Sequence, residues 1–339
     1  MAAPMIRACC SAANARPTLP FCSPTPPLRP SNLLSHSGIS VNSRRSSVSV
    51  VRRGVGWRGV LRGVAVSGLG SWALSGVGRR TVSMASSLGK LKREELQVYD
   101  DAEQLNASLA AHVADVAKAA IEARGLFSVV LSGGSLIKSL GKLCESPYLE
   151  SIDWARWHVF WADERVVKKD HPDSNYKLAW DGLLSKVPIP PGQLYAINDA
   201  LSTEAAAEDY ETCIKQLTKT GVVGTADGYP RFDLLLLGMG PDGHCCSLFP
   251  HHPLVQVKDK WIAPITDSPK PPPERITFTM PVVQAAANIT FVANGEGKAE
   301  MLAKIFGEEL PLGDLPSQSA RPLNGKLIWF VDKPAASKL

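Results

Sequence analysis

An unbroken run of four leucines at 234–237 constrains the fold of this chain more than any other feature. The run is too short to be a helix and predicts a strand buried on both faces, the pattern of a parallel sheet. The strand ends abruptly. Gly238, Gly240, Pro241 and Gly243 fall within six positions, so the backbone turns tightly and can approach a ligand. Asp242 and His244 stand inside that turn. Open α/β folds bind ligands at the carboxyl edge of the sheet, and a carboxylate beside an imidazole there suits proton transfer. The same two residues also admit a structural role, with Asp242 capping a following helix and His244 packing on the sheet.

Strands and helices alternate around this run. Residues 96–99 predict a short strand. Leu105, Leu109, Val113, Val116 and Ala120 then recur at helical spacing over 101–124, with Asp101 and Gln104 as a capping pair and Gly125 as the stop. Further strands are predicted over 127–131, 157–161, 261–265, 289–293 and 326–331, with another beginning at Pro273. Helices are predicted over 136–144 and 203–220, at Ser174-Asn175, and in a segment ending at Phe306. Residues 221–230 read as a disorder-prone connection and 267–273 as a Pro-rich surface loop. This alternation predicts a single doubly wound α/β domain with a mostly parallel sheet over residues 89–332.

The charge is unevenly divided. Residues 1–93 contain no Asp or Glu but 14 of the 37 basic residues, which leaves 23 basic against 32 acidic residues and a net charge near −9 for the rest. An acidic body argues against a nucleic-acid partner, which needs an excess of basic side chains. Residues 1–88, rich in Ser, Arg, Ala, Pro and Gly, have the composition of a transit peptide, nearer the plastid than the mitochondrial kind, and are expected to be disordered. The uncharged stretch 63–78 is rich in Gly and Ser and falls short of the roughly 18 apolar residues of a membrane span, so no membrane association is expected. Residues 333–339 read as a flexible tail. Its last three, Ser337-Lys338-Leu339, match an address read by a soluble peroxisomal receptor. Two addresses on one chain imply dual targeting or the dominance of one, with organelle import receptors as partners. The seven cysteines contain no Cys-x-x-Cys pair and suggest no disulfide framework.

Three further stretches carry candidate binding residues. Ser132-Gly133-Gly134-Ser135 lies between a strand and a helix, where exposed amides favour a phosphate, although a plain tight turn uses the same residues. Asp163-Glu164-Arg165 follows another strand and is succeeded by His171-Pro172-Asp173-Ser174-Asn175; such a triplet is also compatible with a solvated turn in which Asp163 and Arg165 pair. Arg275 stands at the mouth of a late strand, and Gly295-Glu296-Gly297-Lys298 lacks the spacing of a P-loop.

These ordered blocks resemble the 6-phosphogluconolactonase family over about residues 95–332. The match is most specific in Gly238-Met239-Gly240-Pro241-Asp242-Gly243-His244 followed by Ser247-Leu248-Phe249-Pro250. The resemblance implies hydrolysis of 6-phosphoglucono-δ-lactone to 6-phosphogluconate in the oxidative pentose phosphate pathway. It also implies a site in which Ser132, Gly133, Gly134, Ser135, Asp163, Arg165, Arg275 and Lys298 hold the sugar phosphate, while His171 and Asn175 shape the loop. His244 would be the base acting on water, and Asp242 would orient its imidazole. Because a lactone is an activated ester, the reaction requires no metal, cofactor or covalent nucleophile.

Two alternatives remain. The hexosamine-6-phosphate deaminases share the Asp-Gly-His loop, but typically follow it with Ile-Ala-Phe-Asn-Glu-Pro. This chain has Cys245-Cys246-Ser247-Leu248-Phe249-Pro250, with no acid where that Glu would stand, and Arg165 where those enzymes carry Tyr. A non-catalytic sugar-phosphate-binding protein could also keep the fold. The pair Cys245-Cys246 departs from the family, which usually has a non-thiol residue directly after the His; the thiols are either redox-sensitive or small packing residues.

Overall fold

The computed structural model describes Leu91 and residues 95–339, so the leader expected over 1–88 lies outside the described residues. In chain order the strands are β1 (Leu96–Tyr99), β2 (Phe127–Leu131), β3 (Trp157–Trp161), β4 (Asp163–Arg165), β5 (Gly224–Ala226), β6 (Tyr229–Arg231), β7 (Leu234–Gly238), β8 (Ile262–Ile265), β9 (Arg275–Phe278), β10 (Asn288–Ala293) and β11 (Lys326–Asp332). The helices are α1 (Ala102–Arg124), α2 (Ser135–Ser139), α3 (Tyr148–Ser151), α4 (Asn175–Gly182), α5 (Thr203–Lys219), α6 (Met280–Gln284), α7 (Ala299–Ile305) and α8 (Pro316–Ser319). No described helix is long and apolar enough to cross a membrane.

Six strands form one sheet in the order β1-β11-β10-β7-β2-β3, and every pairing in it is parallel. The leucine run is β7, near the middle of this sheet. Leu234 and Leu236 enter the core on one face with Val129, Leu131 and Phe330. Leu235 and Leu237 enter the core on the other face with Val130, Phe291 and Trp329. Each leucine is at most 1% exposed, as a strand covered on both faces requires. Helix α1 starts where expected: the Asp101 side chain accepts from the Gln104 N–H at 2.9 Å, and Gly125 ends the helix at φ +78°.

The structure departs from expectation at four places. Residues 221–230, expected as a disorder-prone connection, form the hairpin β5–β6, with Asp227 and Gly228 both at positive φ in its turn. Asp-Gly is the dipeptide that such a two-residue hairpin turn prefers. The triplet 163–165 is a strand rather than a solvated turn; it pairs antiparallel with β9 in a small sheet ordered β4-β9-β8. The segment 136–144 is divided into α2 and a 3₁₀ turn over Leu140–Cys144. The tail expected to be flexible is folded into turns against the domain. Ala335 is fully buried, its N–H donates to Asp332 Oδ1 at 2.9 Å, and Lys338 pairs with Glu300 at 2.7 Å.

Glu164 ties β4 to α4. It is buried, and its carboxylate accepts from the backbone N–H groups of Arg165 at 2.8 Å and of Asn175 and Tyr176 at 2.7 Å. Burial pushes its pKa up to about 7 against the pull of these donors. Replacing Glu164 with Ala leaves several amides buried without acceptors. Denaturant unfolding should therefore show a loss of at least about 2 kcal/mol, on the scale of an unsatisfied buried hydrogen-bonding group.

Candidate active site

From β2 the chain proceeds outward to β3 at one edge, whereas from β7 it proceeds through β10 to β11 on the other side. The two directions part between β2 and β7, and the loops leaving their carboxyl ends open a crevice there. A cleft of about 190 Å³ occupies it. It brings together Ser132, Gly133, Gly134, Ser135, Asp163, Arg165, Arg275, Lys298 and His244, which all line it. Asp242 stands behind His244 rather than on the cleft wall.

The loop after β7 is shaped by its glycines. Gly243 N–H donates to Gly240 C=O at 3.1 Å, closing a four-residue turn with Pro241 at its second position, and Gly243 itself has φ +83°. A Cβ on Gly240 would collide with the His244 ring and the Asp242 carboxylate. The absence of a side chain at 240 therefore lets the imidazole fold back to within 2.6 Å of Asp242, measured from Nδ1 to Oδ1. At that distance from a carboxylate, Nδ1 carries the proton and Nε2 is left with the lone pair. Phe249 packs against the imidazole, with ring centroids 4.7 Å apart.

The electrostatics of the pair follow from burial and one lysine. Burial would raise the Asp242 pKa, but hydrogen bonds from Lys270 and His244 outweigh it and hold the carboxyl at about 2. Burial lowers the His244 pKa below its ordinary 6.5, assisted by Lys270 and opposed by the Asp242 hydrogen bond and charge. The histidine is thus neutral, and available as a base, at neutral pH.

The same cleft offers donors. Ser132 Oγ and Arg165 Nε are buried with no hydrogen-bond partner among the described residues, whereas Arg165 Nη1 donates to the Asp173 carbonyl at 2.8 Å. Lys298 Nζ donates to the Met239 carbonyl at 2.7 Å, which leaves two of its N–H bonds for a ligand. Buried polar groups without partners next to a cationic side chain suit an oxyanion such as phosphate. Asp163 does not pair with Arg165; its Oδ2 accepts from Ser247 Oγ at 2.7 Å. Arg275 is buried, donating to the carbonyls of Lys270, Pro271 and Pro272 at 2.8–3.0 Å and to Ser247 Oγ at 3.4 Å.

Three residues at the site are given no binding or catalytic part by the sequence alone. Asn175, expected only to shape a loop, lines the cleft; its Nδ2 donates to the Asp163 carbonyl at 2.9 Å, and a Cβ on Gly133 would run into its side chain. Ser247 links Asp163 to Arg275. Lys270 reaches Asp242 from a Pro-rich loop that reads as plain surface. The pair Cys245 and Cys246 is buried and unlinked, and the Cys246 pKa is driven well above its ordinary 9.0, first by a hydrogen bond with Cys245 and then by burial. A buried neutral thiol is a poor nucleophile, which fits the packing role of the two considered.

Known proteins resemble this chain over most of the domain. The family described as Glucosamine-6-phosphate isomerases/6-phosphogluconolactonase matches residues 100–329. The chain is 58% identical over 248 residues to "Probable 6-phosphogluconolactonase 4, chloroplastic" of Oryza sativa subsp. indica, covering 72% of this chain and 76% of that one. It is 54% identical over 280 residues to "6-phosphogluconolactonase 3, chloroplastic" of Arabidopsis thaliana, covering 81% and 85%. Among solved structures, a 6-phosphogluconolactonase from Thermotoga maritima is 28% identical with a TM-score of 0.59 over 70% of this chain and 99% of that one. One from Trypanosoma cruzi is 25% identical with a TM-score of 0.64 over 72% and 96%. A monomeric glucosamine-6-phosphate deaminase shares the fold alone, at 18% identity and a TM-score of 0.58 over 72% and 100%.

The part played by Gly240 is open to a direct check. Gly240→Ala should cost about 1–3 kcal/mol in denaturant unfolding, the scale of an overpacked site, and should displace the His244 imidazole resonances. Gly238→Ala should leave those resonances in place, since a Cβ there meets nothing within 4 Å.

Proposed function

The chain belongs to the glucosamine-6-phosphate isomerase/6-phosphogluconolactonase family, and from that premise we propose that it hydrolyses 6-phosphoglucono-δ-lactone to 6-phosphogluconate as a 6-phosphogluconolactonase. The observation that carries the reading is the pairing, across one cleft, of a neutral imidazole backed by a carboxylate with a cluster of anion-seeking donors. Residues 132–135, Arg165 and Lys298 hold the phosphate, so that binding energy remote from the lactone carbonyl fixes its orientation. His244 Nε2 takes a proton from water as its oxygen attacks the carbonyl carbon. Asp242 stabilises the imidazolium that forms. The ring C–O bond then breaks, and His244 returns the proton to the departing ring oxygen, leaving the open-chain acid. Arg275 has a second part, since its donors to three loop carbonyls fasten the cleft rim as well as presenting positive charge.

The deaminase reading lacks its acid. In the deaminase pattern the Glu falls at the position of Phe249, which here is a buried ring packed on His244. A non-catalytic binder would have no need of an imidazole held by a carboxylate at 2.6 Å.

Within the cell, the basic leader and the chloroplastic relatives support residence in the plastid. The terminal Ser337-Lys338-Leu339 supports a second address in the peroxisome. The partners on this reading are the sugar-phosphate lactone and the import receptors, with neither nucleic acid nor membrane.

Purified protein should hydrolyse the lactone well above its spontaneous rate and release no ammonia from glucosamine 6-phosphate. His244→Ala should lower kcat by about 10³-fold, within the range of a lost general base. The base must be neutral to act, so kcat/KM should rise with pH through the His244 midpoint, and burial places that acid limb below 6.5. A limb at higher pH, or activity that survives His244→Ala, contradicts the assignment. Reporter fusions test the addresses separately: a reporter at the carboxyl terminus masks the tripeptide and should leave only plastid signal, whereas one at the amino terminus masks the leader and should leave only peroxisomal signal.

A further inference from the structure

We infer that Lys270 is a positioning residue for the lactonase reaction, which locks the Asp242–His244 pair in one tautomer and sets the proton affinity of the imidazole. This rests on the function proposed above and assigns a part to a residue outside the cleft wall.

The geometry is a triangle. Lys270 Nζ lies 2.9 Å from Asp242 Oδ1 and 3.2 Å from His244 Nδ1, while those two atoms are 2.6 Å apart. With Asp242 ionised and Lys270 an ammonium, the three distances require a proton on Nδ1. If Nδ1 were bare and accepted from Lys270, its lone pair would face the carboxylate oxygen at 2.6 Å, two acceptors in contact. If Nδ1 carries its proton, it donates to Oδ1 and Lys270 donates to the same oxygen. The ammonium then stands beside the ring without bonding to it. Nε2 is thereby freed for water in the cleft, and a fixed positive charge opposes protonation of the ring.

The consequence for turnover is directional. With Asp242 ionised and Lys270 charged, the three groups sum to zero while His244 is neutral and to +1 once it has taken the proton from water. The lysine thus weakens the hold on that proton and favours its delivery to the ring oxygen, while Asp242 keeps the imidazolium from becoming prohibitive. Among the other charges, Asp163 on β4 is bonded to Ser247 and still favours the protonated ring, Arg275 on β9 is bonded to three loop carbonyls, and Lys298 is bonded to the Met239 carbonyl. Lys270 is the cation with direct access to Nδ1.

A lysine side chain is flexible, so a positioning role needs a fixed backbone. The loop supplies one. Arg275 Nη2 donates to the Lys270 and Pro271 carbonyls, Nε donates to that of Pro272, and Ser268 Oγ donates to the Lys270 carbonyl at 2.9 Å.

The test uses the full chain with ¹⁵N-labelled histidine and two variants, Lys270→Met and Lys270→Arg. Unsubstituted protein should show His244 as the Nδ1–H tautomer at neutral pH. Lys270→Met should move the His244 midpoint upward and carry the acid limb of kcat/KM to higher pH by the same amount, with KM unchanged. Activity on the acid side should then fall roughly tenfold for each pH unit that the midpoint moves. Lys270→Arg should restore both. If Lys270→Met does not fold, Lys270→Gln serves as the neutral variant. An unmoved midpoint overturns the inference, as does a loss confined to KM, which would make Lys270 a substrate anchor. If unsubstituted protein lacks lactone turnover while the midpoint still moves, the lactonase reading fails and the electrostatic role of Lys270 stands.

Discussion

The cleft depends on β7 being covered on both faces. A strand whose alternate leucines enter two separate cores cannot slide by one residue, because a slip would exchange every side chain between them. Its carboxyl end is therefore a fixed point, and the tight turn over 240–243 starts from it. The position of His244 is inherited from that register. The loop after β2 inherits its position in the same way, since β2 pairs directly with β7 through Val129 and Val130. The loop that carries His244 and the loop over Ser132–Ser135 are thus set relative to one another by hydrogen-bonded neighbouring strands, without reliance on a long loop.

The small antiparallel sheet has a different task, which is to hold cations together. Pairing of β4 with β9 places Arg165 directly opposite Arg275. Like charges across a strand pair oppose one another, and the Arg275 pKa is lowered first by burial and then by Arg165. The arrangement survives because each guanidinium is engaged by neutral acceptors, the Asp173 carbonyl for Arg165 and three loop carbonyls for Arg275. Carbonyls orient the guanidinium groups without cancelling their charge. Two guanidinium groups in register, only partly offset by the Asp163 and Asp173 carboxylates, leave positive charge at the cleft.

The middle of the parallel sheet was legible because β2, β7 and β10 are largely apolar runs with a glycine within two residues of one end, and periodicity reports those directly. Ser132–Ser135 and Asp163–Arg165 stood out because each follows closely on an apolar strand, whereas Arg275 and Lys298 were given a binding part only through the family resemblance. Short polar elements escaped this reading. β4 reads as a charged turn, and its strand character comes from a partner more than a hundred residues away; the buried Asp163 and Glu164 are tolerated only because Ser247 and the start of α4 satisfy them. The hairpin at 224–231 escaped for a different reason: its Asp-Gly turn is a local signal, overlooked within a polar stretch. Lys270 has no sequence signature, since what gives it a role is the clamp that Arg275 places on its backbone.

The carboxyl-terminal segment illustrates how one short tail can be fixed by two kinds of contact. Asp332 ends β11, and its side chain accepts from the amides of Gly295 and Ala335, the latter in a fully buried residue. These contacts join the last strand to the Gly-rich loop that carries Lys298, so the start of the tail buttresses one wall of the cleft. Beyond Ala336 the anchoring changes in kind. Lys338 meets Glu300 in an ion pair whose side chains are 54% and 79% exposed, and such pairs are screened by salt and offset by side-chain ordering. Leu339 is only partly covered against the core. The last three residues are thus held by a partly covered leucine and an exposed ion pair, whereas the residues from Asp332 to Ala335 are held by buried hydrogen bonds.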